Sequence, residues 1–234
     1  MKQMESKDVA SLAEYLKIMK QFVGEGYLYR GQKEEFNGLK PTIGRDTDED
    51  GCHGAELKIF RRFKREYMSR YNSRLDDDWE RLTLGQHYGL ATRLLDWTES
   101  PLVALYFAVE DLNSEKDSIV YVIKSHPIKL RHITAKEIKS EKLTPFNIEE
   151  NYVFLPLYVA PQMQSQSAVF TIHHQPTEDF SPFVTIKIIV KNIARKNIKT
   201  ELWQYGISRK TLFPDLYGLA TTTNSQVVEL GNDD

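Results

Sequence analysis

One apolar run near the middle of the chain constrains the fold more than any other feature. From Leu102 to Val109 the sequence reads L-V-A-L-Y-F-A-V, which is apolar on every side of a helix. The preceding pair Ser100-Pro101 favours a helix start, because the serine side chain accepts a hydrogen bond from a free N–H while proline already holds a helical φ. The run therefore predicts a helix buried in the middle of a domain, since a surface helix carries polar residues on one face.

A dense group of polar and aromatic side chains lies just before this helix, in a segment that reads as turn-rich: His87, Tyr88, Thr92, Arg93, Asp96, Trp97 and Thr98. The N-terminal end of a helix attracts anions through its unpaired N–H groups. A ligand site at that end is one prediction. The other is a structural network in which Arg93 and Asp96 pair and Trp97 packs, and the sequence leaves both open.

The composition bounds the class of protein. The chain has 234 residues and a net charge of -2, so it lacks the bulk basic field that drives nonspecific nucleic-acid binding, and a nucleic-acid substrate would need a local patch. The single cysteine, Cys52, excludes an intrachain disulfide and a cysteine-based metal site. No signal-type or membrane-spanning apolar segment stands out. We therefore expect a soluble, cytoplasmic protein with no membrane partner.

The remaining pattern predicts an α+β fold, helical in its N-terminal half around the buried central helix and rich in antiparallel strands in its C-terminal half. Apolar side chains at helical spacing predict helices over residues 6–22, 55–71 and 191–205. β-branched and aromatic residues predict strands over residues 118–123, 152–158, 169–172 and 183–190.

Charged side chains on two of the predicted helices suggest binding roles. The basic face of the helix over residues 55–71 is the best candidate for contact with RNA, DNA or an acidic partner, although a solvated helix face is the default explanation. Asp76, Asp77 and Asp78 suit the start of the following helix. The same triplet could also bind a metal ion together with His87, as in a metal nuclease. This is the least favoured hypothesis, because no second cluster of ligands lies nearby in the sequence.

An arginine at a strand end is the first candidate for binding a ligand. Tyr27-Leu28-Tyr29 predicts a short strand that ends in Arg30-Gly31, where a guanidinium could grip phosphate and the glycine would let backbone approach the ligand. A surface arginine beside a turn glycine is the plainer alternative. Arg45 could hold an anion too, or cap the acidic run over residues 46–50. Gln162, Gln164 and Gln166, facing alternately out before a strand, could contact a ligand or form a polar edge.

Three ordered motifs resemble the FRG domain family. H-Y-G-L-A-T-R-L-L-D-W-T-E-S-P-L-V-A-L-Y-F-A resembles its central motif, Y-L-Y-R-G-Q followed by L-K-P-T-I-G-R its first element, and L-F-P-D-L-Y-G-L-A its closing motif. Ala91 departs from a proline usual in the family, and Tyr217 from a common acidic residue. The matches imply one domain over residues 1–234, with an N-terminal helix over 1–26, a core over 27–220 and a tail over 221–234.

An FRG domain looks like a divergent ADP-ribosyltransferase, and this likeness implies roles for the motif residues. NAD would be the substrate, with no metal. Arg30, assisted by Gly31, Arg45, Thr92 and Arg93, would bind its diphosphate or ribose. His87 would contact ribose or carboxamide, Tyr106 or Tyr88 would stack on nicotinamide, and Asp96, or else Glu99, would stabilise the oxocarbenium-like centre.

Two functions from different classes follow. The first is an ADP-ribosyltransferase that modifies RNA, DNA or protein, and the family resemblance implies a toxin or phage-defence setting with an antitoxin or inhibitory partner. The second is a noncatalytic module that binds a nucleotide or a partner in the same pocket. The absence of a well-marked late glutamate favours the second, and the dense polar cluster favours the first.

Overall fold

The computed structural model describes residues 5–36, 38–45, 48–125, 130–140 and 142–228. Asp46, His126 and the acidic tail over residues 232–234 lie outside these ranges. The strands are β1 Glu5–Val9, β2 Tyr27–Gln32, β3 Leu94–Thr98, β4 Ser118–Lys124, β5 His132–Ile133, β6 Tyr152–Phe154, β7 Ala168–Ile172 and β8 Val184–Val190. The helices are α1 Leu12–Met19, α2 Glu49–Glu66, α3 Asp78–His87, α4 Pro101–Val109, α5 Ala135–Ser140, α6 Pro161–Ser165, α7 Arg195–Gln204, α8 Arg209–Leu212 and α9 Leu216–Val228.

The described strands form one open sheet in the order β1-β8-β4-β2-β3-β7-β6-β5. The pairs β1/β8 and β5/β6 are parallel, and the other neighbours are antiparallel. The predicted α+β class is confirmed. The predicted confinement of the sheet to the C-terminal half is wrong, because β1, β2 and β3 come from the first half and two of them occupy the centre.

Local predictions fail where tertiary pairing decides the structure. Residues 6–22 do not form one helix, because Glu5–Val9 adds to the sheet edge as β1 and α1 begins only after Ser11, whose side chain accepts from Glu14 N. The strand predicted over 152–158 ends at Phe154. Gln162 and Gln164 lie in α6 and Gln166 caps its end, so the three do not alternate along a strand.

The central helix α4 is buried as the sequence predicts. Ala104, Leu105 and Ala108 are fully inaccessible, and α4 packs on one face of the sheet together with α1 and α7. The approach is closest at β2, where a Cβ added to Gly31 would lie 1.9 Å from Ala104 O and 2.7 Å from Ala108 N. The glycine in R-G-Q is therefore required by helix packing, which is a different reason from the close approach to a ligand expected from the sequence.

We expect Gly31→Ala to lower the free energy of unfolding by about 3 kcal/mol, because the new methyl group must displace α4 from β2. Gly54→Ala is the matched control: Gly54 lies inside α2 with nothing within 4 Å of an added Cβ, so we expect it to stabilise by about 0.5–1 kcal/mol. Urea denaturation measures both. Equal stabilities of the two variants would contradict the packing explanation.

Strands β2 and β3 diverge along their length. Tyr29 opposite Thr98 is the one register pair between them, although every residue of both strands is described, whereas β2 pairs with β4 along its whole length. The sheet therefore opens between β2 and β3 beyond Tyr29, and side chains enter the space that ladder hydrogen bonds would otherwise close.

Candidate functional site

A cleft of about 420 Å³ lies where β2 and β3 diverge. This volume is within the range of roughly 300–1,000 Å³ that is typical of small-molecule sites. Its polar lining is Arg30, Lys33, Gln86, His87, Asp96, Thr98, Glu110, Asp111 and Gln166, and its larger apolar side chains are Tyr29, Trp97, Phe107, Met163, Phe170 and Phe213.

Arg30 bridges the two diverging strands. Its Nη1 donates to Asp96 O at 2.6 Å and lies 3.5 Å from Asp96 Oδ2. The side chain is only 13% exposed, and its buried Nε has no hydrogen-bond partner among the described residues. Burial lowers the pKa of this guanidinium from its usual value, but an arginine stays charged at neutral pH. A fixed positive charge therefore lies at the floor of the cleft.

A chain of polar side chains orients the Asp96 carboxylate. Gln86 Nε2 donates to Asp96 Oδ2 at 2.9 Å, and Thr92 Oγ1 donates to Gln86 Oε1 at 2.5 Å. Asp96 is itself 57% exposed and faces the open cleft, whereas Thr92 is fully buried. Thr92 therefore positions Gln86 and does not reach a ligand, contrary to the binding role expected from the sequence.

His87 ends α3 at the cleft, half-buried, and no hydrogen bond holds its ring within the described part of the chain. Burial lowers the pKa of His87, and the charges of Asp96 and Asp215 oppose that shift. The imidazole is therefore neutral at pH 7 and can accept a proton. Tyr88 turns away from the cleft: it is 67% exposed, and its ring lies edge-on to His87 with the centroids 4.9 Å apart.

The end of α4 supplies the opposite wall. Glu110 accepts a hydrogen bond from Arg209 Nη1, and Asp111 Oδ2 lies 3.4 Å from Lys33 Nζ. Phe107 contacts Phe213 edge-on at 6.1 Å between ring centroids. The cleft thus combines two cations, three carboxylates and an aromatic wall.

This arrangement corrects the expected position of the site relative to α4. The cleft adjoins the C-terminal end of the helix, not its N-terminal end. At the N-terminal end, Ser100 Oγ accepts from Val103 N and Thr98 Oγ1 accepts from Ser100 N. The protein's own side chains therefore cap that end.

Arg195 fixes the rim of the cleft from outside it. Its buried guanidinium donates to Lys33 O at 2.6 Å, Asp111 O at 3.1 Å, Ser114 O at 3.3 Å and also to Lys116 O. One cation thus joins the end of β2 to the connection between α4 and β4. Since Lys33 and Asp111 line the cleft, the hydrogen bonds of Arg195 set the width of the cleft at that end.

Besides Thr92 and Tyr88, four of the residues predicted from the sequence lie away from the cleft. Arg93 is 3% exposed and binds Glu56, 1% exposed, at 2.6 Å between Nη2 and Oε2. The alternative pairing of Arg93 with Asp96 is therefore wrong. Tyr106 is buried, and burial raises the pKa of its hydroxyl. Arg45 donates to Lys40 O at 3.1 Å on the surface, and Glu99 lines a separate depression.

The cleft residues that sequence reasoning missed come from several separate segments: Lys33, Gln86, Phe107, Glu110, Asp111, Met163, Phe170 and Phe213. Gln86 precedes His87 directly, so its place in the central motif was a usable signal. The others carry no local signal, because only the folded sheet brings α4, α6 and the Leu212–Phe213 turn together.

The acidic triplet before α3 has structural partners. Asp77 caps the helix by accepting from Trp79 N and Glu80 N, each at 2.9 Å, and Asp78 accepts from Arg81 at 2.8 Å. Within the described ranges, no group of three or more histidine, cysteine, aspartate or glutamate residues could hold a metal ion. No metal site among the described residues therefore supports the metal-nuclease hypothesis.

A buried, neutral histidine, His173, lies close enough to Arg30 to feel its charge. Trp97 Nε1 donates to Thr171 Oγ1 at 2.9 Å, and the same hydroxyl shares a hydrogen bond of 2.9 Å with His173 Nε2. Burial, followed by the charges of Arg30 and Arg93, lowers the pKa of His173 to about 3. The imidazole therefore stays uncharged beside two arginines.

This burial predicts a pH dependence of stability. The folded state holds His173 neutral down to about pH 3, whereas the unfolded chain takes up a proton near pH 6.5. The contribution of His173 to the free energy of unfolding is therefore complete above pH 6.5. It falls as the pH drops, by about 1 kcal/mol between pH 7 and 5.5. Urea titrations of the wild type and His173→Gln measure it, and identical pH slopes in both would refute it.

The family comparison agrees with the part of the chain that builds this cleft. The FRG domain family model matches residues 25–117, which include β2, α2, α3, β3 and α4. The resemblance of the motifs to the FRG domain family is therefore confirmed over these residues. No curated protein and no solved structure matches the chain. None of the described helices is both long and apolar enough to cross a membrane.

Proposed function

We propose that the cleft binds NAD and transfers its ADP-ribosyl group to an acceptor. The observation that carries the proposal is the juxtaposition of Arg30 and Asp96, 3.5 Å apart between Nη1 and Oδ2, in a cleft with an aromatic wall. An ADP-ribosyltransferase-like fold belongs to the same proposal and is supported by the family resemblance alone.

The charges of the cleft suit both ends of NAD. The diphosphate is an anion, which Arg30 and Lys33 attract. The nicotinamide ring is a cation, which the Phe107 ring and the Asp96 carboxylate favour. A cleft with only one sign of charge would suit only one of the two ends.

The proposed reaction breaks the bond between nicotinamide N1 and ribose C1′, and the electron pair leaves with neutral nicotinamide. The sugar becomes oxocarbenium-like, and Asp96 stabilises this charge. An acceptor hydroxyl or amine then bonds to C1′ and loses its proton to His87, which is neutral at pH 7 because burial lowers its pKa. The products are nicotinamide, the ADP-ribosylated acceptor and one proton.

A noncatalytic nucleotide-binding module is the second candidate. The Arg30 guanidinium is largely buried and already engaged with Asp96 O, and Arg209 neutralises Glu110. Such groups can hold a ligand without turning it over. A cytoplasmic toxin or phage-defence role with an inhibitory partner rests on the family resemblance in either case.

Incubating the protein with NAD labelled in the adenylate half tests both candidates. RNA, DNA and protein fractions are added separately, while nicotinamide release and the melting temperature are followed. We expect nicotinamide release with label transfer to one fraction. A rise in melting temperature without release would establish the binding module instead. If NAD causes neither nicotinamide release nor a rise in melting temperature, both candidates are overturned.

A further inference from the structure

A second, separate groove lies between α2 and α3, outside the cleft. It encloses about 720 Å³ between the C-terminal half of α2, the turn Tyr67–Ser69 and the end of α3. Its aromatic lining is Phe63, Tyr67, Tyr71 and Tyr88. Phe63 and Tyr67 stack with ring centroids 6.0 Å apart, and Tyr88 remains 67% exposed at the other side.

The segment that forms this groove is strongly basic. Residues 57–75 contain seven lysines and arginines but one acidic residue, Glu66, whereas the whole chain carries a net charge of -2. All seven basic side chains are exposed: Lys58, Arg61, Arg62, Lys64, Arg65, Arg70 and Arg74. This is the local basic patch that the overall composition alone does not reveal.

Ion pairs among the described residues neutralise only part of this charge. Lys64 lies 2.7 Å from Asp78, and Arg65 and Arg70 share Glu66 at 3.1 and 3.9 Å. Arg61 and Arg62 form no ion pair with any described residue, and Arg62 lines the groove itself. The unneutralised arginines leave a positive potential that an extended polyanion would complement.

We propose that the α2–α3 groove binds single-stranded nucleic acid. Arginines beside an exposed aromatic ring match the way such strands are bound. Phosphates lie on the cations, and an unstacked base lies on Tyr88, the exposed ring of the groove's aromatic lining. A duplex keeps its bases stacked and an acidic protein has no bases, so neither would use the exposed face of Tyr88.

The groove also adjoins the cleft. Tyr88 lines the groove while His87, the preceding residue, lines the cleft, and their ring centroids are 4.9 Å apart. A strand stacked on Tyr88 therefore brings its next nucleotide towards His87. Resting on the function proposed above, this position makes the bound strand the acceptor of the ADP-ribosyl group.

Binding is tested without NAD, by fluorescence anisotropy of labelled oligo-U and oligo-dT of about 12 nucleotides, a length within the range one such site covers. Tyr88→Ala should weaken binding by about fivefold or more, because stacking on one aromatic ring is lost, while Tyr88→Phe should retain it. Comparing oligo-U with oligo-dT distinguishes RNA from DNA.

A paired charge variant provides the matched control. Arg61→Gln with Arg62→Gln should lower the slope of log affinity against log salt by about 1.4, or about 0.7 for each lost phosphate contact. Lys17→Gln with Lys20→Gln removes the same charge from exposed sites on and just after α1, and should leave the slope unchanged.

The groove proposal fails if the two charge pairs weaken binding equally, if Tyr88→Ala has no effect, or if duplex DNA or poly-glutamate binds as tightly as the single strands. Its failure is distinguishable from that of the proposed function. Oligonucleotide binding without nicotinamide release would support the groove and overturn the transferase. Nicotinamide release without oligonucleotide binding would support the transferase and overturn the groove proposal.

Discussion

Replacing Glu56 by alanine should lower the free energy of unfolding by about 3–5 kcal/mol, the largest stability effect that we expect in this protein. Glu56 accepts from Arg93 Nε and Nη2 and from Arg93 N, at 2.6–3.1 Å, with both side chains buried. Removing the carboxylate leaves a guanidinium charge and a backbone N–H buried without a partner. Urea denaturation with an unchanged m-value would measure the loss.

Two further variants separate charge from packing. Glu56→Gln keeps an oxygen that can accept from Arg93 N, so we expect a smaller loss than with alanine. Glu56→Leu combined with Arg93→Met removes both charges and should recover much of the stability, since a buried ion pair can be replaced by apolar groups at little net cost. A loss below about 1 kcal/mol for Glu56→Ala would refute the assigned role.

Asp96→Asn should slow nicotinamide release at saturating NAD by about 10²–10³-fold, because an amide cannot neutralise the positive charge that develops on ribose. Asp96 is 57% exposed, so its replacement should change stability by less than about 0.5 kcal/mol. The backbone carbonyl that binds Arg30 remains in place. Initial rates with labelled NAD, alongside a melting curve, provide the measurement.

Glu99→Gln is the control for this prediction. Glu99 is an exposed carboxylate three residues further along, and it lines a depression separate from the cleft. The same change from acid to amide should leave the rate unaffected. If Glu99→Gln abolished activity and Asp96→Asn did not, the transition-state role would belong to Glu99 and the geometry argued for the cleft would be incorrect.

Local sequence patterns predicted a buried helix, a helix cap and a helix end, because short-range interactions determine these features. The apolar run after Ser100-Pro101 predicted α4, since a helix without a polar face must be buried. Asp77 in the acidic triplet was a cap, as expected. Gly206, at φ +80°, follows the end of α7, close to the position where the sequence predicts that this helix ends.

Long-range pairing explains what the sequence did not predict. Glu5–Val9 has no strong strand pattern and becomes β1 only because β8 pairs with it. Arg93 and Asp96 lie three residues apart in one motif, but the pleat of β3 and the approach of α2 separate them, so that Arg93 binds Glu56 and Asp96 faces the cleft. Sequence proximity within the motif did not reveal which side chain would be buried.

The order of strands in the sheet has a consequence for synthesis. The family match ends at residue 117, yet β2 and β3 within it depend on β4 and β7, which follow it along the chain. On the ribosome, β2 gains its partner β4 soon after residue 117, but β3 keeps an unpaired backbone edge until β7 has been translated. That wait lasts for roughly 55 further residues, about 3–11 s at 5–20 residues per second. During that interval the nascent chain is open to aggregation and to chaperones, and a fragment cut at residue 117 would never leave that state.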